Sequence, residues 1–125
     1  MRLLLDTDAL LWWLLDDAKL PAAPRDAIRQ ADTDVLVSAA SAWEIATTHR
    51  LGKVPEAATD LPRLLPAARF RPLPVTVEHA VAAVALPGPH RDPFDRMLIA
   101  QAHADGLRVA TQDLVFAAYG VDVLW

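Results

Sequence analysis

The sequence predicts a three-layer α/β/α fold, in which a central, mainly parallel sheet of four to five strands lies between helices. Two observations lead to this class. Segments with strand character and segments with helix character alternate along the whole chain, as is typical of α/β proteins. The strand segments are continuous apolar runs, as expected for strands buried on both faces of a parallel sheet. The chain has 125 residues, the length of one domain, and we assign residues 1–125 to a single domain.

The first half of the chain contains two predicted strands and four predicted helices. Asp6 and Thr7 follow the first strand and fit the cap of the first helix, which is apolar on almost every side. Ser41 and Glu44 fit a capping box at the start of the third helix, and that helix stops near Gly52. The strands are expected at residues 3–5 and 35–37, and the helices at residues 8–15, 21–31, 41–52 and 61–68.

The second half continues the alternation. Its clearest element is a helix with Asp92 as the N-cap, Pro93 at the first helical position and Gly106 beyond the last turn. Thr76 fits the cap of the preceding helix, and Asp113 precedes a short last helix. The strands are expected at residues 73–75, 107–111 and 121–124, and the two longer helices at residues 77–86 and 92–104.

Composition and charge exclude several classes of protein. Apolar residues make up 54% of the chain, which excludes disorder. The excess of apolar residues fits either a large core or an oligomer interface, and we expect the four tryptophans to pack in one of these two places. The net charge of −4 excludes a globally basic nucleic-acid binder but leaves room for a local basic patch. The absence of cysteine excludes disulfides, a thiolate nucleophile and a cysteine zinc site.

No segment has the character of a membrane span. The longest purely apolar run, residues 9–15, is far shorter than the roughly 20 residues that a spanning helix needs. Asp6 and Asp8 interrupt any signal-peptide core at the start of the chain. We therefore expect a soluble, cytoplasmic protein.

Carboxylates follow the predicted strands at the points where the strands end. Asp6 follows the first strand, Glu44 comes shortly after the second, and Asp113 follows the strand at residues 107–111. Asp92 and Asp95 begin the helix that precedes that strand. Ligands of open parallel sheets bind beyond the carboxyl ends of the strands. Taken singly, each acid also fits a helix cap or a favourable charge in a first helical turn.

Two observations favour a shared site. Asp95 stands three, four and seven residues before Leu98, Ile99 and Ala102, so helical spacing turns it inward, where a carboxylate needs a partner. The acids also come from well-separated segments yet map to one end of one sheet, where like charges repel unless they bind a cation. Clustered oxygen ligands suit Mg²⁺ or Mn²⁺, and such an ion can activate water and neutralise a phosphoryl group.

The chain resembles the PIN-domain family, and within it the VapC-type toxins of prokaryotic toxin–antitoxin pairs. Four stretches carry the resemblance, in order and over nearly the full length. They are LLLDTDALLWWL at residues 3–14, SAASAWEIATTHRLGKV at 38–54, LPGPHRDPFDRMLIAQA at 86–102 and ATQDLVFAAYGVDVLW at 110–125. The third stretch, with its DPFDR motif, is the most specific.

The resemblance implies a PIN-like fold and a Mg²⁺- or Mn²⁺-dependent endoribonuclease whose products carry 5′-phosphate and 3′-hydroxyl ends. It implies a quartet of acids that holds the metal and carries the catalysis, namely Asp6, Glu44, Asp95 and Asp113. It further implies supporting roles for Asp92, Thr7 and Thr111.

The resemblance also implies partners: an RNA substrate, a second copy of the chain in a homodimer, and a VapB-type antitoxin whose Arg or Lys enters the cation site. The chain departs from many relatives in carrying Thr47 and Thr48 where they have a Lys shortly after the acid. The basic residues near the site in sequence are candidates for RNA phosphate contacts. They are Arg50, Lys53, Arg91 and Arg96.

Three other interpretations stay open. A PIN scaffold without catalytic activity would bind RNA or a partner only. A haloacid-dehalogenase-like phosphatase would use Asp6 of LLLDTD as its nucleophile, but that chemistry also needs a later Lys, and the chain has only Lys19 and Lys53. A receiver domain would need a phospho-accepting Asp at the end of its third strand, where the nearest acid is Asp60 in a proline-rich region.

Overall fold

The computed structural model describes residues 1–88 and 92–125 and contains one parallel sheet of five strands. The strands stand in the order β3-β2-β1-β4-β5, and every neighbouring pair is parallel. They are β1 (Arg2–Leu5), β2 (Asp34–Ser38), β3 (Arg71–Leu73), β4 (Arg108–Ala110) and β5 (Val123–Leu124). The helices are α1 (Thr7–Leu14), α2 (Ala22–Arg29), α3 (Ala39–Arg50), α4 (Leu61–Ala67), α5 (Val77–Ala85), α6 (Pro93–Asp105) and α7 (Leu114–Ala118). The predicted fold class is confirmed.

Apolar side chains of the central strands point alternately into two cores, one on each face of the sheet. Leu3 and Leu5 of β1 belong to a core shared with α1, α2 and α4. Leu4, between them, belongs to a second core shared with α6 and α7. All three leucines are fully buried. Because side chains alternate between the faces of a strand, a continuous apolar run needs helices on both sides.

Helix α6 has the termini that its sequence predicts. The Asp92 carboxylate accepts hydrogen bonds from the backbone N–H groups of Phe94 and Asp95, and Pro93 occupies the first turn. Gly106 ends the helix in the left-handed conformation with φ 63°, which glycine adopts without steric cost. This helix therefore holds Asp92 and Asp95 at a defined place in the fold.

The start of α3 differs from the prediction. The helix begins at Ala39 rather than at Ser41, and the Ser38 hydroxyl caps it by accepting a hydrogen bond from the N–H of Ala40. The capping-box interpretation of Ser41 and Glu44 is therefore wrong, because both residues lie inside the helix. Their side chains are left for contacts with another element.

Strand β3 also differs from its prediction. It spans Arg71–Leu73 instead of residues 73–75, and it pairs with β2 at the edge of the sheet. Pro72 lies within it, and proline is tolerated on an edge strand because only one side must supply ladder hydrogen bonds. An additional 3₁₀ turn at Glu56–Ala58 precedes α4.

Three of the four tryptophans pack as expected. Trp12 lies against Trp125 with ring centroids 5.9 Å apart, and Trp13 lies against Phe70 at 6.1 Å. Trp43 does not pack in the core of this chain, because 69% of its surface is exposed, and a place for it in an interface stays a prediction. Among residues 1–88 and 92–125, no helix is long and apolar enough to cross a membrane.

Candidate active site

The carboxyl ends of β1 and β4 each lead directly into a capped helix, and this arrangement places acids at one edge of the sheet. Asp6 is the N-cap of α1, and its Oδ1 accepts a hydrogen bond from the N–H of Ala9 at 2.8 Å. Asp113 is the N-cap of α7 and accepts from the N–H of Val115 at 3.0 Å. Both carboxylates are thus fixed by helix starts that follow neighbouring strands.

Six carboxylates line one cleft of about 530 Å³ beyond these strand ends. They come from the starts of α1, α6 and α7 and from the second turn of α3. The acids are Asp6, Asp8, Glu44, Asp92, Asp95 and Asp113, and the other described lining residues are Thr7, Gln112 and Leu114. The structure therefore brings together all five acids singled out from the sequence, although they are separated by up to 107 positions along the chain (residues 6 to 113).

Glu44 is positioned by the hydroxyl group of Thr7 in helix α1. The Thr7 hydroxyl donates a hydrogen bond of 2.5 Å to Glu44 Oε1 and lies 3.2 Å from the hydroxyl of buried Ser41. Thr7 follows β1, whereas Ser41 and Glu44 lie in α3 after β2. This link between neighbouring strands explains why Ser41 faces inward, and it orders the Glu44 side chain at the cleft.

Burial raises the pKa values of three of these acids. The pKa of Asp6 rises to about 7, chiefly because the carboxyl is removed from water, with smaller increases from Asp8 and Asp95. Hydrogen bonds from Thr111 and from the backbone of Ala9 partly oppose this rise. Burial also raises the pKa of Glu44 and of Asp8, and repulsion by neighbouring acids adds to both effects. A cation in the cleft would relieve the same repulsion.

Thr111 forms hydrogen bonds with two of the acidic residues of the cleft. It is fully buried at the end of β4, and its hydroxyl accepts a hydrogen bond from the N–H of Asp113 at 3.0 Å. Its hydrogen bond with Asp6 lowers the pKa of that carboxyl. Thr111 thereby connects the carboxylates that follow β1 and β4.

Sequence reasoning missed three lining residues, namely Asp8, Gln112 and Leu114. Asp8 carried a usable signal, since it lies two residues after Asp6 in the first turn of a helix whose start follows a central strand. An acid there projects toward the same strand end. Gln112 and Leu114 are polar and apolar neighbours of Asp113 and carried no comparable signal.

The basic candidates lie at different places. Arg50 ends α3, six residues beyond Glu44, and neither Arg50 nor exposed Lys53 lines the cleft. Arg96 donates hydrogen bonds to the carbonyl groups of Ala83 and Leu86 at the end of α5. Arg91 lies outside the described residues.

The donor set of the cleft fits a hard divalent cation. Every charged group among its described lining residues is a carboxylate, the ligand type that Mg²⁺ and Mn²⁺ prefer. Within residues 1–88 and 92–125, no three acids or histidines already stand close enough together to form a complete metal cage. Mg²⁺ does not need one, because it keeps several waters and binds proteins through one or two carboxylates.

Comparison with known proteins agrees with this fold. The PIN domain family matches residues 3–122. The chain is 34% identical over 112 residues to Ribonuclease VapC22 of Mycobacterium tuberculosis, covering 88% of this chain and 85% of that protein. The chain therefore belongs to the PIN domain family. Within that family it is similar to the VapC ribonucleases.

Two solved structures share the fold at low sequence identity. One is VapBC2 from Rickettsia felis bound to a DNA fragment from their promoter, with 13% identity, coverage of 98% of this chain and 97% of that one, and a TM-score of 0.72. The other is Mycobacterium tuberculosis VapC20, a Sarcin-Ricin loop cleaving toxin, with 18% identity, 95% coverage of both chains and a TM-score of 0.72.

Proposed function

We propose that this chain is a VapC-type toxin, a Mg²⁺- or Mn²⁺-dependent endoribonuclease that hydrolyses RNA phosphodiesters and is inhibited by a cognate VapB-type antitoxin. The observation that carries the proposal is the meeting of acids from four separate segments in one cleft. Helix caps alone would not require these acids to converge. Burial in the cleft chiefly raises the pKa values of Asp6, Asp8 and Glu44, and repulsion by neighbouring acids adds to the rise. The similarity to Ribonuclease VapC22 supports the choice of RNA as substrate.

The proposed roles follow from where each side chain lies. Asp6, Glu44, Asp95 and Asp113 hold the cation, some of them through water, and Asp92, Thr7 and Thr111 support them. A bound divalent ion would lower the pKa of a water molecule and neutralise charge on the phosphoryl group. Either Asp95 or Glu44 orients the attacking water. Thr7 keeps the Glu44 carboxylate in place through its hydrogen bond.

The site offers a simple means of inhibition. A cleft lined by six carboxylates attracts a positively charged side chain as well as a metal ion. We propose that an Arg or Lys of the antitoxin occupies it, and that the toxin itself is a homodimer. The solved VapBC2 complex supports a partner chain for this fold.

Purified protein is expected to cleave single-stranded RNA in Mg²⁺ or Mn²⁺ and to lose this activity in EDTA. Attack by a metal-activated water leaves a linear phosphate rather than a 2′,3′-cyclic one, and the resemblance to the PIN-domain family implies 5′-phosphate and 3′-hydroxyl ends. Ligation-based mapping identifies the 5′ and 3′ ends of the products, and parallel reactions in Mg²⁺, Mn²⁺ and EDTA measure the metal dependence. Cleavage that persists in EDTA, or products with 2′,3′-cyclic phosphate ends, would contradict the mechanism.

The antitoxin proposal has its own test. The proposal predicts a short reading frame immediately upstream that encodes this antitoxin. Co-expression with its product should yield a stable complex that does not cleave RNA, and light scattering should give the mass of a toxin dimer within it. An uninhibited toxin that stays monomeric at every concentration would contradict both parts of the proposal.

The other interpretations predict different outcomes. A non-catalytic scaffold would bind RNA without cutting it in any metal. A phosphatase would trap phosphate on Asp6, but none of the described residues that line the cleft is a lysine. A receiver domain is disfavoured because Pro74, rather than an acid, follows β3.

A further inference from the structure

A second concave surface lies beside the acidic cleft and has the opposite character. This groove has a volume of about 330 Å³, and all its described lining residues have apolar side chains, including Ala39, Trp43, Val75, Pro93, Phe94 and Met97. Trp43 and Phe94 meet edge to face with ring centroids 5.5 Å apart. We call this surface the aromatic groove.

The aromatic groove and the acidic cleft are built from consecutive residues of the same two helices. Trp43 precedes Glu44 on α3, and Phe94 precedes Asp95 on α6. Consecutive helical residues point about 100° apart, so each helix turns its acid into the cleft and its aromatic ring into the groove. The two surfaces are therefore immediate neighbours.

Both surfaces also lie at the same edge of the sheet. Ala39 follows β2 and Val75 comes shortly after β3, so the groove stands beyond the carboxyl ends of these two strands. The cleft stands beyond the ends of β1 and β4, next along the sheet. Because the two surfaces are neighbours, a single strand of nucleic acid with a phosphate in the cleft would bring an adjacent base to the groove.

Trp43 lacks the cover that such a ring normally has. Its exposed fraction is 69%, whereas large aromatic rings usually bury most of their area. The groove is also at the small end of ligand sites, which span about 300–1,000 Å³. A groove of this size has room for one planar ring.

We propose that the aromatic groove binds the base of the nucleotide that flanks the scissile phosphate, by stacking or edge contact with Trp43. This inference rests on the proposed RNA cleavage and names a residue that positions the substrate for it. Exposed aromatic rings bind unstacked bases of single-stranded RNA, with little dependence on hydrogen bonding. The groove would hold the strand in register while the acids act on its backbone.

The test compares Trp43→Ala, Trp43→Phe and the control Val84→Ala, which changes an exposed apolar residue of α5 that does not line the groove. The probe is a short single-stranded RNA pool of randomised sequence, cut in Mn²⁺ and sequenced at the product ends. A well-cut sequence is then synthesised with a single abasic nucleotide at each position around the cut. Circular dichroism and light scattering establish folding and mass for every variant.

Trp43→Ala is expected to lower kcat/KM about 10- to 100-fold, the range for loss of one base–aromatic contact, and Trp43→Phe should keep most of the activity. One abasic position next to the cut should slow the wild type similarly and have no effect on Trp43→Ala. If the wild type cleaves RNA but Trp43→Ala responds to the abasic scan as the wild type does, the groove proposal is overturned. It is also overturned if Trp43→Ala changes only the mass of the protein, which would assign the groove to a protein interface. Absence of cleavage by the wild type would instead refute the proposed function.

Discussion

Asp95→Asn is expected to reduce RNA cleavage by at least about 10²- to 10³-fold, the usual effect of removing one group that stabilises transition-state charge. Asp95 lies in the first turn of α6 and lines the cleft, where burial chiefly raises the pKa values of Asp6 and Glu44 and the charge of Asp95 adds to the rise. Asparagine keeps the size of the side chain but removes the charge that attracts a divalent cation. Single-turnover cleavage of a labelled RNA in Mg²⁺ measures the effect.

The fold of this variant should be intact. The Asp92 cap that starts α6 uses the backbone N–H of residue 95, not its side chain, so the melting temperature should stay within a few degrees of the wild type. Asp26→Asn is the matched control, because Asp26 is an exposed carboxylate of α2 outside the cleft. Equal cleavage by Asp95→Asn and Asp26→Asn would contradict a role for Asp95.

Asp6 is expected to make the metal-free protein less stable as the pH rises from about 4 to about 7. Its pKa is about 7 in the folded state, against 3.8 for the free side chain. A raised pKa means that the folded state binds the proton more tightly, so the free energy of unfolding falls as the carboxyl ionises. The shift corresponds to a loss on the order of 4 kcal/mol, which is complete above the folded-state pKa.

Asp6→Asn should remove most of this dependence. The amide oxygen of Asn keeps the cap on the N–H of Ala9 and carries no charge into the buried position. In EDTA near neutral pH, the variant should melt about 10 °C above the wild type, and the difference should shrink below about pH 4, where both side chains are neutral. Parallel melting curves for the two proteins at all pH values would refute the assignment of the raised pKa to Asp6. The ionised Asp6 carboxyl thus lowers the free energy of unfolding of the metal-free protein, and a cation bound in the cleft would raise it again.

Much of this site is predictable because acids at helix starts are local features. Asp92 and Gly106 mark the two ends of α6 by cap chemistry, which depends on a few neighbouring residues. The apolar runs that become β1 and β2 predict a buried parallel sheet, and parallel strands share one carboxyl edge. The convergence of Asp6, Glu44 and Asp113 follows from these two facts.

The remaining features depend on contacts that local patterns do not encode. Ser38 and Ser41 are equally suited to cap α3, and the choice of Ser38 is stabilised by the contact of Ser41 with Thr7 across the cleft. The position of β3 follows from its pairing with β2, although Pro72 disfavours a strand. The exposure of Trp43 likewise depends on how the neighbouring helices are placed around α3. The helical periodicity of α3 alone does not specify that placement.

We expect the acids of the cleft to form one divalent-cation site on which RNA cleavage depends. The decisive experiment is a calorimetric titration of Mn²⁺ into the metal-free wild type, Asp95→Asn and Asp26→Asn, paired with RNA cleavage at each metal concentration. The wild type and Asp26→Asn should bind Mn²⁺ and gain activity along the same saturation curve, while Asp95→Asn should bind at least tenfold more weakly and stay inactive. Unchanged Mn²⁺ affinity in Asp95→Asn, or wild-type cleavage that does not follow Mn²⁺ binding, would contradict this expectation.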